Sequence, residues 1–263
     1  MISNRQIKTI TIELIVKSIK SYFLKPKKRD FQILDLLMPK ERIIRSKVGG
    51  LETSMGTNLW EPLARGLAKT NGFNVRDHLD ILEPKDCPEN IKSTVDSIIR
   101  DRKDNKGDYD YKSSHEAIKN ACQYFKSHPV QEWKKPASGQ GVDVWIEKNK
   151  VHYLFDTKTV KPNDTTVKGY IEQLHRWYFF FYAKFPNANL NAAIVFPYNP
   201  YQKPLFEKNS FKPLATNHEA LDGEKFWEII TNNREAMKII LSAFKEVGEK
   251  SLVTKVIDKA MNQ

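Results

Sequence analysis

The sequence predicts a mixed α/β fold with additional helices at both ends of the chain, and three observations carry that reading. Apolar residues recur at three- and four-residue steps in the opening and closing stretches, as on one face of a helix. Near residue 142 the period changes to two, the alternation of a strand. A short apolar run, LNAAIVF at 190–196, has the length of a buried strand between helical segments. The resulting order of helix, hairpin, helix, strand and closing helices is that of a mixed α/β arrangement. At 263 residues the chain is one large domain or two small ones, and with no internal repeat or low-complexity tract a single domain over 1–263 is the simplest expectation.

Taken in order, Ile7, Ile10, Leu14, Ile15 and Ile19 predict a first helix, ended by the run KPKKRD after Leu24, whose cations suit the negative end of a helix dipole. That run, including Lys27 and Lys28, has two readings, a solvated helix end and an arm that contacts phosphates. A second helix is expected from a cap at Thr57 or Asn58, through Leu59, Leu63 and Leu67, to Asn71-Gly72, with Pro62 in its first turn where a missing amide hydrogen is tolerated. Residues 96–112 read as a helix end and an exposed loop around Gly107, and Ala117, Ile118, Ala121, Cys122 and Phe125 as a helix closed by Pro129. Val142, Val144 and Ile146 then alternate with Asp143 and Trp145, and after the polar residues 147–150 a second strand runs over 151–160, so the two form a hairpin. A helix over 167–182, the strand at 190–196, the Pro-broken FPYNPYQKP and helices from Lys225 onward complete the chain.

Forty-three Lys and Arg against 32 Asp and Glu leave a net charge of +11, and the first 50 residues hold 12 of those cations with only 4 acids. A charge so polarised favours an anionic partner. The longest apolar run, Trp177 to Ala183, is seven residues, against roughly 20 for a membrane span. The opening residues lack a signal-peptide pattern, so a cytoplasmic protein without membrane contact is expected. Cys87 and Cys122 are too few and too far apart for a disulfide framework or a cysteine zinc site. No Gly-Lys-Ser/Thr ending follows Gly50, and the six histidines form no HxK or His-Asn-His grouping, so neither ATP use nor those metal chemistries are expected.

The chemically informative stretch is GQGVDVWIEKNKVHYLFDTKTVKPN, 139–163. Asp156 and Lys158 are two apart on a strand and share a face, and a short hairpin brings Asp143 beside Asp156. Neighbouring carboxylates repel and raise a pKa unless a cation lies between them, and hard oxygen ligands suit Mg²⁺. The tripeptide acid-any-Lys is itself uninformative, since it occurs six times, at Glu83, Asp101, Asp104, Asp110, Glu132 and Asp156. Only at Asp156 is the acid set in an apolar strand, where a carboxylate is costly without a partner or a task. The bland alternative is an Asp–Lys ion pair on an exposed sheet face. FPYNPYQKP is a stiff loop carrying Tyr198, Asn199, Tyr201, Gln202 and Lys203; Asn, Gln and Lys are base-reading side chains, and equally Asn is an ordinary turn residue.

These residues resemble the PD-(D/E)xK nucleases, and more closely type II restriction endonucleases of the TdeIII type. The likeness lies in VGGLETSMGTNLWEPLARGLAKTNGF (48–73), GQGVDVWI with YLFDTKTVKPN (139–163) and FPYNPY (196–201). Val142 stands where many relatives carry Pro, and Asp156 where many carry Glu. The resemblance implies a restriction-endonuclease-like core, a mixed β-sheet flanked by helices, over 45–205, with a basic helical extension at 1–44 and a helical part at 206–263. It implies Mg²⁺-dependent double-strand cleavage of DNA at a short palindrome of GGNCC type by a homodimer, with Mn²⁺ substituting. Asp143, Asp156 and Lys158 match the catalytic positions, with Asp143, Asp156, Thr157 and Glu61 around the metal. Glu52 is the rival to Glu61, and Gln173 matches a supporting position. Lys161, Asn163, Lys168, Tyr198, Asn199, Gln202 and Lys203 are the expected DNA contacts. Two other classes fit the same charge: a structure-specific nuclease of this fold, and a DNA-binding module that does not cleave.

Overall fold

The computed structural model describes residues 2–25, 31–77, 81–105, 110–159, 162–201, 203–206 and 211–261. Lys27, Lys28, Gly107, Lys161 and Gln202 lie outside them. Helix α1 (Asn4–Leu24) leads through a tight turn at Ile33–Leu36 to α2 (Pro39–Met55) and α3 (Glu61–Thr70). Next come β1 (Asn74–Arg76), β2 (Glu83–Pro84), α4 (Glu89–Lys103), α5 (Tyr111–Ala121) and β3 (Trp133–Lys134). The central elements are β4 (Val144–Lys148), β5 (Val151–Thr157), α6 (Asp164–Lys184) and β6 (Asn189–Val195). The chain closes with β7 (Ala220–Leu221), α7 (Gly223–Thr231), α8 (Ala236–Glu249) and α9 (Thr254–Met261).

Two compact units result, Met1–Asn71 with Trp227–Gln263, and Gly72–Phe226. The division differs from the expected boundaries at 44/45 and 205/206: residues 45–71 group with the terminal helices, and residues 206–226 with the sheet.

In the first unit Ser3 caps α1 in a reciprocal box with Gln6, and Ile7, Thr11, Ile15, Ser18 and Tyr22 form its buried stripe. The Tyr22 hydroxyl donates to the Lys47 carbonyl of α2 at 2.8 Å. A Cβ at Gly50 would come within 2.3 Å of that hydroxyl oxygen, so α1 and α2 meet where only glycine fits. No helix begins at Thr57 or Asn58. Instead α2 and α3 are joined by one wide turn, Gly56–Trp60, in which the Glu61 amide reaches back to the Gly56 carbonyl. Pro62 is the reason: inside a regular helix its ring would clash with the carbonyl four residues earlier, and the widened turn absorbs it. The expected end holds, with Asn71 at the cap and Gly72 at φ +79°.

The second unit is built on a five-stranded sheet of order β1-β4-β5-β6-β7, with β2 and β3 paired apart from it. β4 and β5 are antiparallel, Val144 opposite Phe155, while β5 and β6 are parallel, so the sheet is mixed and α6 is the crossover. The hairpin turns on two residues, Asn149 and Lys150, both at positive φ (53° and 63°), the geometry whose twist matches a right-handed ribbon. α6 is buried along most of its length, with Ile171, Leu174, Trp177 and Phe181 in the core against Trp145 and Leu154.

A polar group is also buried here. Arg102 of α4 pairs with Glu219, whose other oxygen meets His115 Nε2 at 3.0 Å. His175 Nδ1 donates to the Ile171 carbonyl at 2.7 Å, leaving Nε2 facing the Ser114 hydroxyl. Burial works against the Glu219 charge, but His115 and Arg102 outweigh it and pull its pKa down to about 2. Burial also holds His115 and His175 below the ordinary histidine range.

Candidate active site

The site grows out of the β4–β5 ladder. Just before β4 the Asp143 amide donates to the Phe155 carbonyl at 3.0 Å, one residue off the ladder in which Phe155 pairs with Val144, so Asp143 is tied to the end of β5 by a local break in register. Asp156 leaves the same sheet face as Leu154, and the Asp143 carboxyl lies beside it. One Asp143 oxygen, Oδ2, accepts from the Thr157 amide (2.8 Å) and hydroxyl (3.0 Å). Beyond β5 the Lys158 amide donates to the Val195 carbonyl, prolonging the parallel pairing with β6. Lys158 Nζ lies 2.8 Å from Asp156 Oδ1 and 2.7 Å from Oδ2.

The ion pair is real but is not the exposed one of the bland reading. Asp156 is 3 % exposed, while the Lys158 side chain keeps 35 % of its surface open. Oδ2 is buried without a hydrogen bond, for the close Lys158 contact lacks the geometry of one. Burial pushes the Asp156 carboxyl up, Asp143 adds to the push, and Lys158 opposes both; the outcome is about 7. A buried carboxylate oxygen that makes no hydrogen bond, beside a second carboxylate and answered by the Lys158 ammonium, is a suitable arrangement for a hard dication.

α6 braces this corner. Trp177 Nε1 donates to the Gln140 carbonyl at 2.8 Å and Gln173 Nε2 to the Gly141 carbonyl at 3.3 Å, fixing the chain just before Asp143. Tyr170 presents its ring 5.9 Å from Lys158 Nζ. Its hydroxyl is pushed up to about 12 by burial and by the Asp156 charge.

A model of a type II restriction endonuclease family, described as "Type II restriction endonuclease, HinfI", matches residues 3–248. The chain belongs to this family. No curated protein and no solved structure gives a significant match. The matched stretch spans both compact units, and the family is one of nucleases that act on DNA. Among the described residues no helix is long and apolar enough to cross a membrane.

For a chain of this family the other expected residues fall out unevenly. Glu61 lies in the first unit, buried, with Arg65 Nη2 at 2.6 Å from its carboxylate. Glu52 is on the exposed side of α2. Asn163 caps α6, its Oδ1 accepting from the Thr166 amide at 2.9 Å, and Lys168 lies 3.7 Å from Asp104. Asn199 is used within its own loop, donating to the Lys203 carbonyl (2.9 Å) and accepting from the Tyr201 amide (3.0 Å). Tyr198 is half-buried, and Lys203 is exposed.

His115, His175 and Glu219 also bring three ligand atoms within 4.8 Å of one another. Sequence reading gave no hint of this, since Glu219 is 104 residues from His115. Each atom already has a partner, and the Arg102 guanidinium on Glu219 would oppose a cation there. His152 is likewise satisfied, accepting the Trp145 indole N–H at 3.2 Å.

Proposed function

We propose that the chain is a Mg²⁺-dependent type II site-specific deoxyribonuclease that makes double-strand cuts at a short palindrome, as a homodimer. The observation that carries it is the half-buried Asp143 beside the buried Asp156, whose Oδ2 makes no hydrogen bond, with Lys158 at the open edge. Asp143, Asp156 and Thr157 would hold the cation, with Mn²⁺ a substitute. When bound, such an ion polarises the phosphate and lowers the pKa of a coordinated water. Thr157 fixes one oxygen of Asp143 through two donors and leaves the other for a ligand. Lys158, anchored at its backbone to β6 and open at its head, is placed to orient the attacking water and to stabilise charge developing on the phosphate. Glu61, with Glu52 as its rival, is assigned as the supporting acid on the likeness of its sequence motif alone. Gln173 supports the site through the chain before Asp143.

Lys161, Asn163 and Lys168, next to the active strand in sequence, are assigned to DNA, with the loop bearing Tyr198, Asn199, Gln202 and Lys203 as reader. The TdeIII-like motifs suggest a GGNCC-type target. A mapped digest of a sequenced plasmid tests all of this. Discrete fragments with Mg²⁺, none in excess EDTA, and none from Lys158→Ala are expected, with the cut positions giving the target. Cutting that persists in EDTA overturns the metal site, and a ladder without preferred positions replaces sequence recognition by recognition of DNA shape.

A further inference from the structure

Large apolar side chains are exposed in one place above all. Phe31, Ile33, Leu34, Leu36, Leu37, Met38, Ile44 and Val48 are eight of the thirteen such residues among those described, and all lie within one stretch of eighteen residues. Not one residue of α2 is buried. Its Lys47–Gly50 side meets Tyr22 of α1. Ile44, Val48, Leu51 and Met55 recur at steps of four, three and four, which puts them on a separate stripe about a quarter-turn away. Spacing of 3.5 residues is that of a seam between two helices.

We propose that this stripe on α2, extended by the turn at Ile33–Leu36, is the surface through which two copies of the chain associate. An apolar seam is unsuited to phosphates, and three features of it fit a second copy. A fully buried Leu- or Ile-sized side chain corresponds to roughly 60–120 Å², so the exposed stretch offers roughly 300–600 Å² of apolar surface, as much as the largest patch on a typical monomer. A standard interface takes about 800 Å² from each partner, a little over half of it apolar, so the area is what a stable dimer needs. The charges beside the seam are complementary to themselves. Arg45 and Glu52 are exposed on its outer flank, seven residues apart, with no ionic partner among the described residues. In an antiparallel pairing about a two-fold axis, Arg45 meets the partner subunit's Glu52 twice over. The inference rests on the proposed function for one point only, that a double-strand cut calls for two copies of a site each chain carries once.

Light scattering of the full chain at micromolar concentration, with and without duplex DNA, reads the result. The wild type is expected at twice 30.6 kDa, and the double variant Ile44→Glu, Val48→Glu at 30.6 kDa, with unchanged far-UV circular dichroism because neither side chain is buried. Should that variant fail to fold, the charges decide: Arg45→Glu should weaken association about tenfold, as expected for loss of a close charge pair, and adding Glu52→Arg should restore it. A wild type that stays monomeric even on DNA, a folded double variant that stays dimeric, or charge reversals without effect overturns the interface. A double variant that loses DNA binding while remaining dimeric makes the stripe a DNA surface, which also overturns it. A dimer broken as expected in a protein that does not cut plasmid with Mg²⁺ upholds the seam and refutes the nuclease reading, whereas cutting by a chain whose mass ignores these variants does the reverse.

Discussion

Asp156 carries the conflict on which the proposed chemistry depends. Its carboxyl is raised to about 7 by burial and by Asp143, against Lys158, whereas an unfolded Asp titrates near 3.9. The native state therefore binds a proton that the unfolded state has lost between about pH 4 and 7, and the stability this group lends is fully present below pH 4 and lost as pH rises through 7. At most about 1.4 kcal/mol per pH unit is involved. Chemical denaturation without metal should show the fall, and Asp156→Asn should flatten it and be the more stable protein at pH 8. A variant with the same pH profile as wild type would remove Asp156 from its buried role. A dication competes with the same proton, so Mg²⁺ affinity should rise with pH up to about 7 and level off above it. Lys158→Ala removes the positive charge that opposes the rise at Asp156, raises its pKa further, and should lose Mg²⁺ affinity at pH 7 as well as cleavage.

At the scale of elements, the hairpin and α6 make the site, and both are open to test. Lys150 holds φ +63°, a conformation that costs a non-glycine residue roughly 1–3 kcal/mol. Lys150→Gly should therefore stabilise the fold, by about 0.5–1 kcal/mol after the extra flexibility of glycine in the unfolded chain; an unchanged or lowered denaturation midpoint would show the turn to be unstrained. Gln173→Ala should lower kcat about tenfold with little change in KM or stability, for it frees only the chain before Asp143. Loss of stability without loss of rate would make Gln173 a packing residue. The hairpin was legible because alternation and two set-in carboxylates survive in the sequence, and α6 because a long helix repeats its period many times. β6 was found within a residue for its unbroken apolar run. The strands β1, β2, β3 and β7, two or three residues each, carry no period to read. Pro62 does lie in the first turn of α3; what fails is the cap at Thr57 or Asn58, because the wide Gly56–Trp60 turn already occupies those residues and carries α2 into α3. The Arg102–Glu219 pair joins residues 117 apart, and no spacing rule reaches that far.

Across the whole molecule the dominant property is charge. The net +11 is concentrated in the first 50 residues, and cations that neutralise phosphates release condensed counterions, so affinity for DNA falls with salt at a slope of about −0.9 per phosphate contacted. A dimer contacting on the order of six to ten phosphates should lose about a thousandfold or more in affinity between roughly 50 and 200 mM salt. The slope separates two kinds of contact. Neutralising Lys27 and Lys28 should weaken cognate and random DNA alike and flatten the slope. Loss of a base contact should instead cost about 1–3 kcal/mol on the cognate site and leave random DNA and the slope alone. Asn199 tests the second kind under a constraint, because both ends of its amide brace its own loop. Asn199→Ala therefore loosens the loop as well as trimming it, and the loss should still be confined to the cognate site if that loop reads bases. Equal losses on both DNAs for the Asn199 variant would make the loop a scaffold, and binding that is flat in salt would mean that the basic charge serves a partner other than DNA.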